Sequence, residues 1–98
     1  MSEEAGENYV LRLYVTGATP RSTRAIDNIR SICEERLQGH YTLEVVDVYQ
    51  QPKLAQDENI VALPTLVKQL PEPLRRMVGD LSKREKVLHS LDLSAKEL

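Results

Sequence analysis

The sequence predicts a small single-domain α/β protein, and three features of its 98 residues carry this prediction. A strand pattern, an amphipathic helix and a second strand pattern fill residues 9–49. A proline, Pro64, then separates two apolar runs, Ile60–Leu63 and Thr65–Val67. A hairpin pattern and a last helix follow. With a cis bond before Pro64, this order (βαβ, a short helix, then ββα) is that of a thioredoxin-like fold.

Composition indicates one core and an ordinary soluble class. The chain is 41% hydrophobic and 29% charged, with a net charge of −2, so no nucleic-acid or anionic-membrane binding is expected. No apolar run approaches the length of a membrane span, and the start lacks a secretory signal. We therefore expect a cytoplasmic protein with a domain at 9–93, a flexible acidic segment at 1–8 and a short tail at 94–98.

The first half has firm strand and helix patterns. Tyr9–Val15 alternates, with Tyr9, Leu11, Leu13 and Val15 on one face and Val10 and Tyr14 on the other. Thr19 and Pro20 suit the start of a helix over 20–38, which Gly39 ends. Its apolar stripe consists of Ala25, Ile26, Ile29, Ile32, Cys33 and Leu37. A second strand at 41–49 completes a right-handed βαβ unit with parallel strands.

The second half predicts a short helix over 51–59, an edge strand at Thr65–Val67 that extends to Leu70, and a return strand over 74–78. The turn Pro71–Pro73 joins the two strands. Ser82 and Glu85 fit a capping box at the start of the last helix. Val87, Leu88 and Leu91 would then face the core.

This second half also fits another assignment. Leu74, Met77, Val78 and Leu81 have helical spacing, whereas Val87, His89, Leu91 and Leu93 alternate as in a strand. Short windows are often ambiguous in this way. The other interpretation is that residues 64–98 have two competing packings.

Redox chemistry is disfavoured by the residues at the first strand-to-helix turn. Thr19-Pro20-Arg21-Ser22 has the spacing of C-P-x-C, but hydroxyls stand at both sulfur positions and cannot supply a thiolate. Cys33, the only cysteine, is expected to be a small buried hydrophobe. No motif for catalysis, cofactor binding or metal binding is present, so we predict a protein that is not an enzyme and has no cofactor.

Basic residues flank the double-proline turn. Lys68 precedes it, Arg75 and Arg76 follow it, and Arg24 lies near the start of the first helix. If all four reach one side, they form a basic surface suited to an acidic protein partner. The alternative is a set of scattered solvating charges.

A long ordered set of motifs covers the chain from Tyr9 to Leu93. The motifs are Tyr9–Val15, Gly17, Thr19-Pro20, Val46–Val48, Pro64–Leu66, Leu70-Pro71, Pro73–Arg76 and Gly79–Leu88. In these residues the sequence resembles the KaiB family. The resemblance implies a non-enzymatic regulator that docks on the KaiC hexamer, an ATPase ring, one copy per subunit. It also implies metamorphic behaviour, in which a tetrameric or dimeric ground state and a rarer thioredoxin-like monomer differ in their C-terminal half.

The resemblance further implies two sets of site residues. The partner-binding set is Arg24, Lys53, Lys68, Arg75 and Arg76, and the fold-switch set is Pro64, Pro71, Pro73, Gly79, Asp80, Ser90 and Asp92. The family often has Gly in place of Ser90, so this chain should favour the helical, thioredoxin-like state. Glu44 replaces a commonly basic residue, which argues against KaiA binding.

Two other functions remain open on the same predicted fold. One is a thioredoxin-like sensor module that binds a clock-output histidine kinase, because the N-terminal domains of such kinases are also similar. The other is a glutathione-binding or redox enzyme, although the missing dithiol weighs against it.

Overall fold

The computed structural model describes residues 8–93, and the predicted segments at 1–8 and 94–98 lie outside them except for Asn8. The elements are β1 (Tyr9–Val15), α1 (Pro20–Arg36), β2 (Tyr41–Asp47), α2 (Pro52–Asp57), β3 (Thr65–Leu70), β4 (Arg75–Val78) and α3 (Arg84–Ser90). The sheet order is β2-β1-β3-β4. β1 and β2 are parallel, as predicted, whereas β3 is antiparallel to both β1 and β4.

The alternation of β1 divides the core between the two faces of the sheet. Leu11 and Leu13 pack with the apolar stripe of α1 and with Val87 and Leu88 of α3. Tyr14 packs on the other face in a smaller cluster, which contains Val46 and Val67 and is covered by Leu54 of α2. The predicted assignment of β1 residues to faces is confirmed, because strand side chains alternate.

α1 is held at both ends by the residues that the sequence indicates. The Ser22 amide donates to Thr19 Oγ1 at 3.2 Å, and Pro20 occupies the first turn, where no amide donor is needed. Beyond the helix, Gly39 has a φ of 82°, a left-handed conformation that a residue without Cβ adopts easily. The helix ends at Arg36, two residues before the predicted end.

β3 lies inside the sheet, so the prediction of an edge strand is wrong. β3 pairs with β1 on one side and with β4 on the other, and Pro64 lies just outside its first residue. That position lets the strand keep its ladder hydrogen bonds although proline has no amide hydrogen. The Leu63–Pro64 bond is cis, as predicted, and the Leu70–Pro71 and Glu72–Pro73 bonds are cis as well.

The last helix begins differently from the capping-box prediction. Lys83 stands at the N-cap position without a side-chain cap bond, and the Ser82 amide instead donates to Asp80 Oδ1 at 3.1 Å. The Ser82 amide, which the capping box would have paired with Glu85, is therefore bound by the Asp80 side chain in a local turn. Val87, Leu88 and Leu91 are buried as predicted. In this packing, residues 75–78 form the strand and residues 84–90 form the helix.

Candidate functional site

Each of the five predicted partner-binding cations has a carboxylate partner. The ion pairs are Arg24 Nε–Asp80 Oδ2 (3.2 Å), Lys53 Nζ–Asp57 Oδ1 (3.5 Å), Lys68 Nζ–Asp92 Oδ2 (2.6 Å), Arg75 Nη2–Asp92 Oδ1 (3.4 Å) and Arg76 Nη2–Glu58 Oε1 (3.1 Å). Their charges are therefore compensated locally. All of these cations except Lys68 are at least partly exposed. Ion pairs at such exposed positions contribute little to stability and can exchange partners.

The four cations of the possible basic surface, Arg24, Lys68, Arg75 and Arg76, do not reach one side of the sheet, so the alternative of scattered charges applies. Arg75 and Arg76 are consecutive residues of β4, so their side chains leave opposite faces of the sheet. Arg75 accordingly reaches Asp92 after α3, whereas Arg76 reaches Glu58 after α2. The structure brings together Arg75 and Lys68, which are register partners in the ladder, and leaves Arg24 and Lys53 in separate pairs.

Lys68 is the fully buried member of the set, with 1% of its side chain exposed. Its ammonium lies 6.0 Å from the centre of the Tyr9 ring and binds Asp92 directly. The Tyr9 hydroxyl in turn donates to the Leu91 carbonyl at 3.0 Å. Lys68 is therefore removed from the predicted docking surface and fastens the end of α3 to the sheet. Its hydrogen bond to Asp92 lowers the pKa of that carboxyl.

A second tether joins the loop after β4 to α1. Asn28 Nδ2 donates to the Asp80 carbonyl at 2.8 Å, and Arg24 binds the Asp80 carboxylate. Hydrogen bonds from Ser82, and then the one from Arg24, lower the pKa of Asp80. Next to this junction, the buried Leu81 has a φ of 63°, which is unusual for a bulky residue.

The predicted fold-switch residues occupy the joints of the C-terminal half. Pro71 and Pro73 lie in the β3–β4 turn, and Ser90 is the last residue of α3. Gly79 and Asp92 have positive φ angles, of 123° and 61°. The Gly79 amide donates to the Pro64 carbonyl at 2.9 Å, which links the loop after β4 to the proline before β3. These residues thus sit at the ends of elements rather than within them.

The position of a redox dithiol is filled by two hydroxyls. Thr19 Oγ1 donates to Ser22 Oγ at 2.9 Å, and the buried Ser22 Oγ accepts from the Thr16 amide. Burial raises the pKa of Cys33 to about 12, so its thiol is not poised for reaction. Within residues 8–93, no three His, Cys, Asp or Glu side chains are placed to hold a metal ion. No helix in the same range is long and apolar enough to cross a membrane.

Three cations that the sequence analysis did not single out share one cleft. Arg21 at the start of α1 and Lys83 and Lys86 around the start of α3 line it. None of them has a carboxylate partner within residues 8–93. Lys83 and Lys86 lie 62 and 65 residues after Arg21 in the sequence. No periodic pattern relates such distant positions, so only the fold reveals that the three cations are neighbours. The one signal in the sequence that could have indicated this cleft is a basic residue next to the start of each of the two helices.

Together, the sheet order, the proline before β3 and the α1 turn define a thioredoxin-like protein without the thiol pair. Solved structures agree. The N-terminal domain of Synechococcus elongatus SasA has a TM-score of 0.71 at 23% identity, covering 94% of this chain and 90% of that one. The thioredoxin Deadhead from Drosophila melanogaster has a TM-score of 0.71 at 13% identity, covering 92% and 84%. These likenesses confirm the predicted fold.

Sequence comparison identifies the family. A family model described as the KaiB domain matches residues 12–93. The circadian clock oscillator protein KaiB of Prochlorococcus marinus (strain MIT 9312) is 53% identical over 94 residues, covering 96% of this chain and 90% of that protein. KaiB of Microcystis aeruginosa (strain NIES-843 / IAM M-2473) is 52% identical over 92 residues, covering 94% and 88%. The chain belongs to the KaiB family and is a clock regulator, as its motifs predict.

Proposed function

We propose that this protein regulates a clock or timer by docking on the KaiC ring and changing its nucleotide and phosphorylation cycle. The observation that carries the proposal is the KaiB domain match over residues 12–93, together with relatives named circadian clock oscillator proteins. The turn at Thr19 and Ser22 supports a binding role rather than redox catalysis, because hydroxyls cannot perform thiol exchange. The proposed action is therefore non-enzymatic.

The exposed ion pairs support docking through α1, the segment 53–59 and β4. Arg24, Arg75 and Arg76 are each 39–55% exposed, so an acidic partner surface can take them from their present carboxylates. Lys53 is more exposed still. Lys68 would act indirectly, by holding the C-terminal half in the docking conformation. At the β2 edge, Arg12 already binds Glu44 at 3.0 Å, which supports the proposal that KaiA is not a partner.

We also propose that the described packing is the KaiC-binding state and exchanges with another. In the other state, residues 74–93 would repack, and copies of the chain would associate as a dimer or tetramer. Two tethers, Asp80 to α1 and Asp92 to Lys68, hold this segment here, and both are ion pairs with an exposed partner. A switch of this kind needs two packings only a few kcal/mol apart. Apparent affinity for KaiC would then fall with the population of the binding state.

Size-exclusion chromatography with KaiC tests the docking. We expect co-elution with KaiC in the presence of ATP or ADP, and its absence with both nucleotides would contradict the proposal. The double variant Arg75→Glu, Arg76→Glu should bind more weakly and with a reduced dependence on salt. The matched control is Arg84→Glu, Lys86→Glu, which changes the net charge equally on α3, outside the proposed docking elements. Equal affinities of the two double variants would discard the docking role of β4.

A clock-output histidine kinase is the second candidate partner. The structural likeness to the SasA N-terminal domain supports it at the level of the fold, which by itself assigns no partner. Competition between the protein and a kinase sensor domain for KaiC would support a shared surface. Direct binding of the kinase in a pull-down without KaiC would instead support a kinase partner.

A further inference from the structure

The cleft between the start of α1 and the loop after β4 is the strongest unassigned feature of the molecule. It has a volume of about 240 Å³ and is lined by three cations, Arg21, Lys83 and Lys86, and by the apolar side chains of Met77 and Val87. We propose that it binds a small multivalent oxyanion, either a phosphate compound or a polycarboxylate. The proposed docking residue Arg24 lies one helical turn from Arg21 and pairs with Asp80 of the cleft, so the anion site is tested on the protein without KaiC.

The charges of the cleft favour an anion. Arg21, Lys83 and Lys86 are exposed to solvent and form no ion pair with any residue of the part that the structure describes. The one acid that lines the cleft, Asp80, is already occupied by Arg24 and by Ser82. Within residues 8–93, all five predicted partner-binding cations have carboxylates, whereas the three cations around this concavity have none. Converging like charges without a counter-ion raise the local potential for an anion.

Arg21 and residues 77–83 line the cleft together. A Cβ atom placed on Gly79 would lie 3.9 Å from Arg21 Nη2, so this guanidinium reaches from α1 to the loop after β4. Gly79 has a φ of 123° and Leu81 one of 63°. Gly79 adopts its angle without strain, whereas Leu81 is a bulky residue held at a positive φ, a conformation that proteins retain where the backbone shapes a site. Asn28 and Arg24 fix the loop against α1 through Asp80.

The size and lining of the cleft define the ligand class. Pockets for drug-sized ligands start at about 300 Å³, so this cleft suits a smaller molecule. A guanidinium presents a planar pair of donors to a carboxylate or a phosphate, and two ammonium groups add charge without directional preference. The apolar walls would contact a short carbon skeleton. A di- or trivalent oxyanion uses all three cations, whereas chloride cannot.

Titration of the protein alone tests the site, so its failure would not affect the proposed docking on KaiC. Pyrophosphate and citrate are added separately to labelled protein at constant ionic strength, with sodium chloride as the reference. Backbone amide spectra should show saturable shifts centred on Arg21 and residues 77–83. The double variant Arg21→Gln, Lys83→Gln should weaken binding at least about tenfold. The charge-matched control Arg30→Gln, Lys53→Gln should retain wild-type affinity.

The outcomes separate the two sources of the anion. Saturation by pyrophosphate alone assigns a phosphate compound, saturation by citrate alone assigns a polycarboxylate, and saturation by both assigns the general class. Shifts that do not saturate, or that fall equally in the two double variants, would overturn the proposal. If the cleft variant loses its folded spectrum, Lys86→Gln, at an exposed helical position, supplies a second cleft variant with the same expectation.

Discussion

Lys68 Nζ lies 2.6 Å from Asp92 Oδ2, and this contact joins β3 to the segment just after α3. Lys68 is almost completely shielded from water, whereas 40% of the Asp92 side chain is exposed. A buried ammonium is tolerated only when it is paired and hydrogen-bonded. The last helix is thus anchored by a group that the core cannot hold without its partner.

Removing the carboxylate should cost more than removing the ammonium. Asp92→Asn keeps a residue that accepts a φ of 61° but leaves Lys68 without its ion pair, so unfolding should require roughly 1–3 kcal/mol less free energy. Lys68→Met keeps the volume and removes the buried charge, and should be nearly neutral or stabilising. Urea denaturation of both variants and the wild type measures the difference.

Asp57→Asn is the control for this pair, because Lys53 is 84% exposed and does not depend on its carboxylate. We expect a change within about 0.5 kcal/mol. A loss of stability in Lys68→Met as large as that in Asp92→Asn would contradict the argument. It would mean that the ammonium contributes more as one half of a pair than its burial costs.

The Asp92 carboxyl should also make stability depend on acid pH. Lys68 lowers its pKa from the ordinary value of 3.8, so folding favours the ionised form. The stabilisation is therefore present above the pKa of the unfolded chain and is lost as the pH falls through the folded value. Unfolding free energies of wild type and Asp92→Asn should differ fully above about pH 5 and converge below 3.8. A constant difference from pH 7 to 2.5 would exclude this origin.

The local pattern of the first half was sufficient to predict its elements. The alternation around Leu11 and Tyr14 follows from the period of a strand, and the stripe around Ile29 follows from the period of a helix. Thr19 and Gly39 act within a few residues of the helix ends. The family motifs then supported the thioredoxin-like order for the second half. The cis bond before Pro64 followed from the same order.

The ion pairs and the position of β3 could not be predicted in this way. Whether β3 is an edge or an interior strand depends on where β4 pairs, and proline at its start is compatible with both. Lys68 is buried because Asp92 reaches it from 24 residues away. Arg75 and Arg76 are neighbours in sequence but are separated by the sheet. The sequence indicates that charged residues lie at the surface, whereas the tertiary fold decides which residues form ion pairs with them.

Cys33 should report unfolding rather than surface chemistry. It is fully buried on the apolar face of α1, and burial raises its pKa to about 12. At pH 8 only roughly 0.01% of the thiol would be ionised, and the sulfur is shielded from reagents as well. Iodoacetamide labelling followed by mass spectrometry should be at least about a hundredfold slower in buffer than in concentrated urea. Rapid labelling of the native protein would show that α1 opens readily.

The hydroxyl pair at the α1 turn should behave as a structural unit. The Ser22 amide donates to Thr19 Oγ1, Thr19 Oγ1 donates to Ser22 Oγ, and Ser22 Oγ accepts from the Thr16 amide at 3.2 Å. Thr19→Ala removes the cap and should lower the free energy of unfolding by about 1 kcal/mol. Ser22→Ala leaves the Thr16 amide without its acceptor beside the core and should cost roughly 1–3 kcal/mol.

The two losses should not add, because each substitution removes the bond between the hydroxyls. The double variant should therefore be less destabilised than the sum, and a double-mutant cycle in urea measures this coupling. Thr23→Ala, an exposed residue in the same turn, is the control and should change stability by no more than about 0.5 kcal/mol. Strict additivity of Thr19→Ala and Ser22→Ala would show that the hydroxyls act independently. Coupling would establish that hydrogen bonding holds together the turn that a disulfide closes in redox members of this fold.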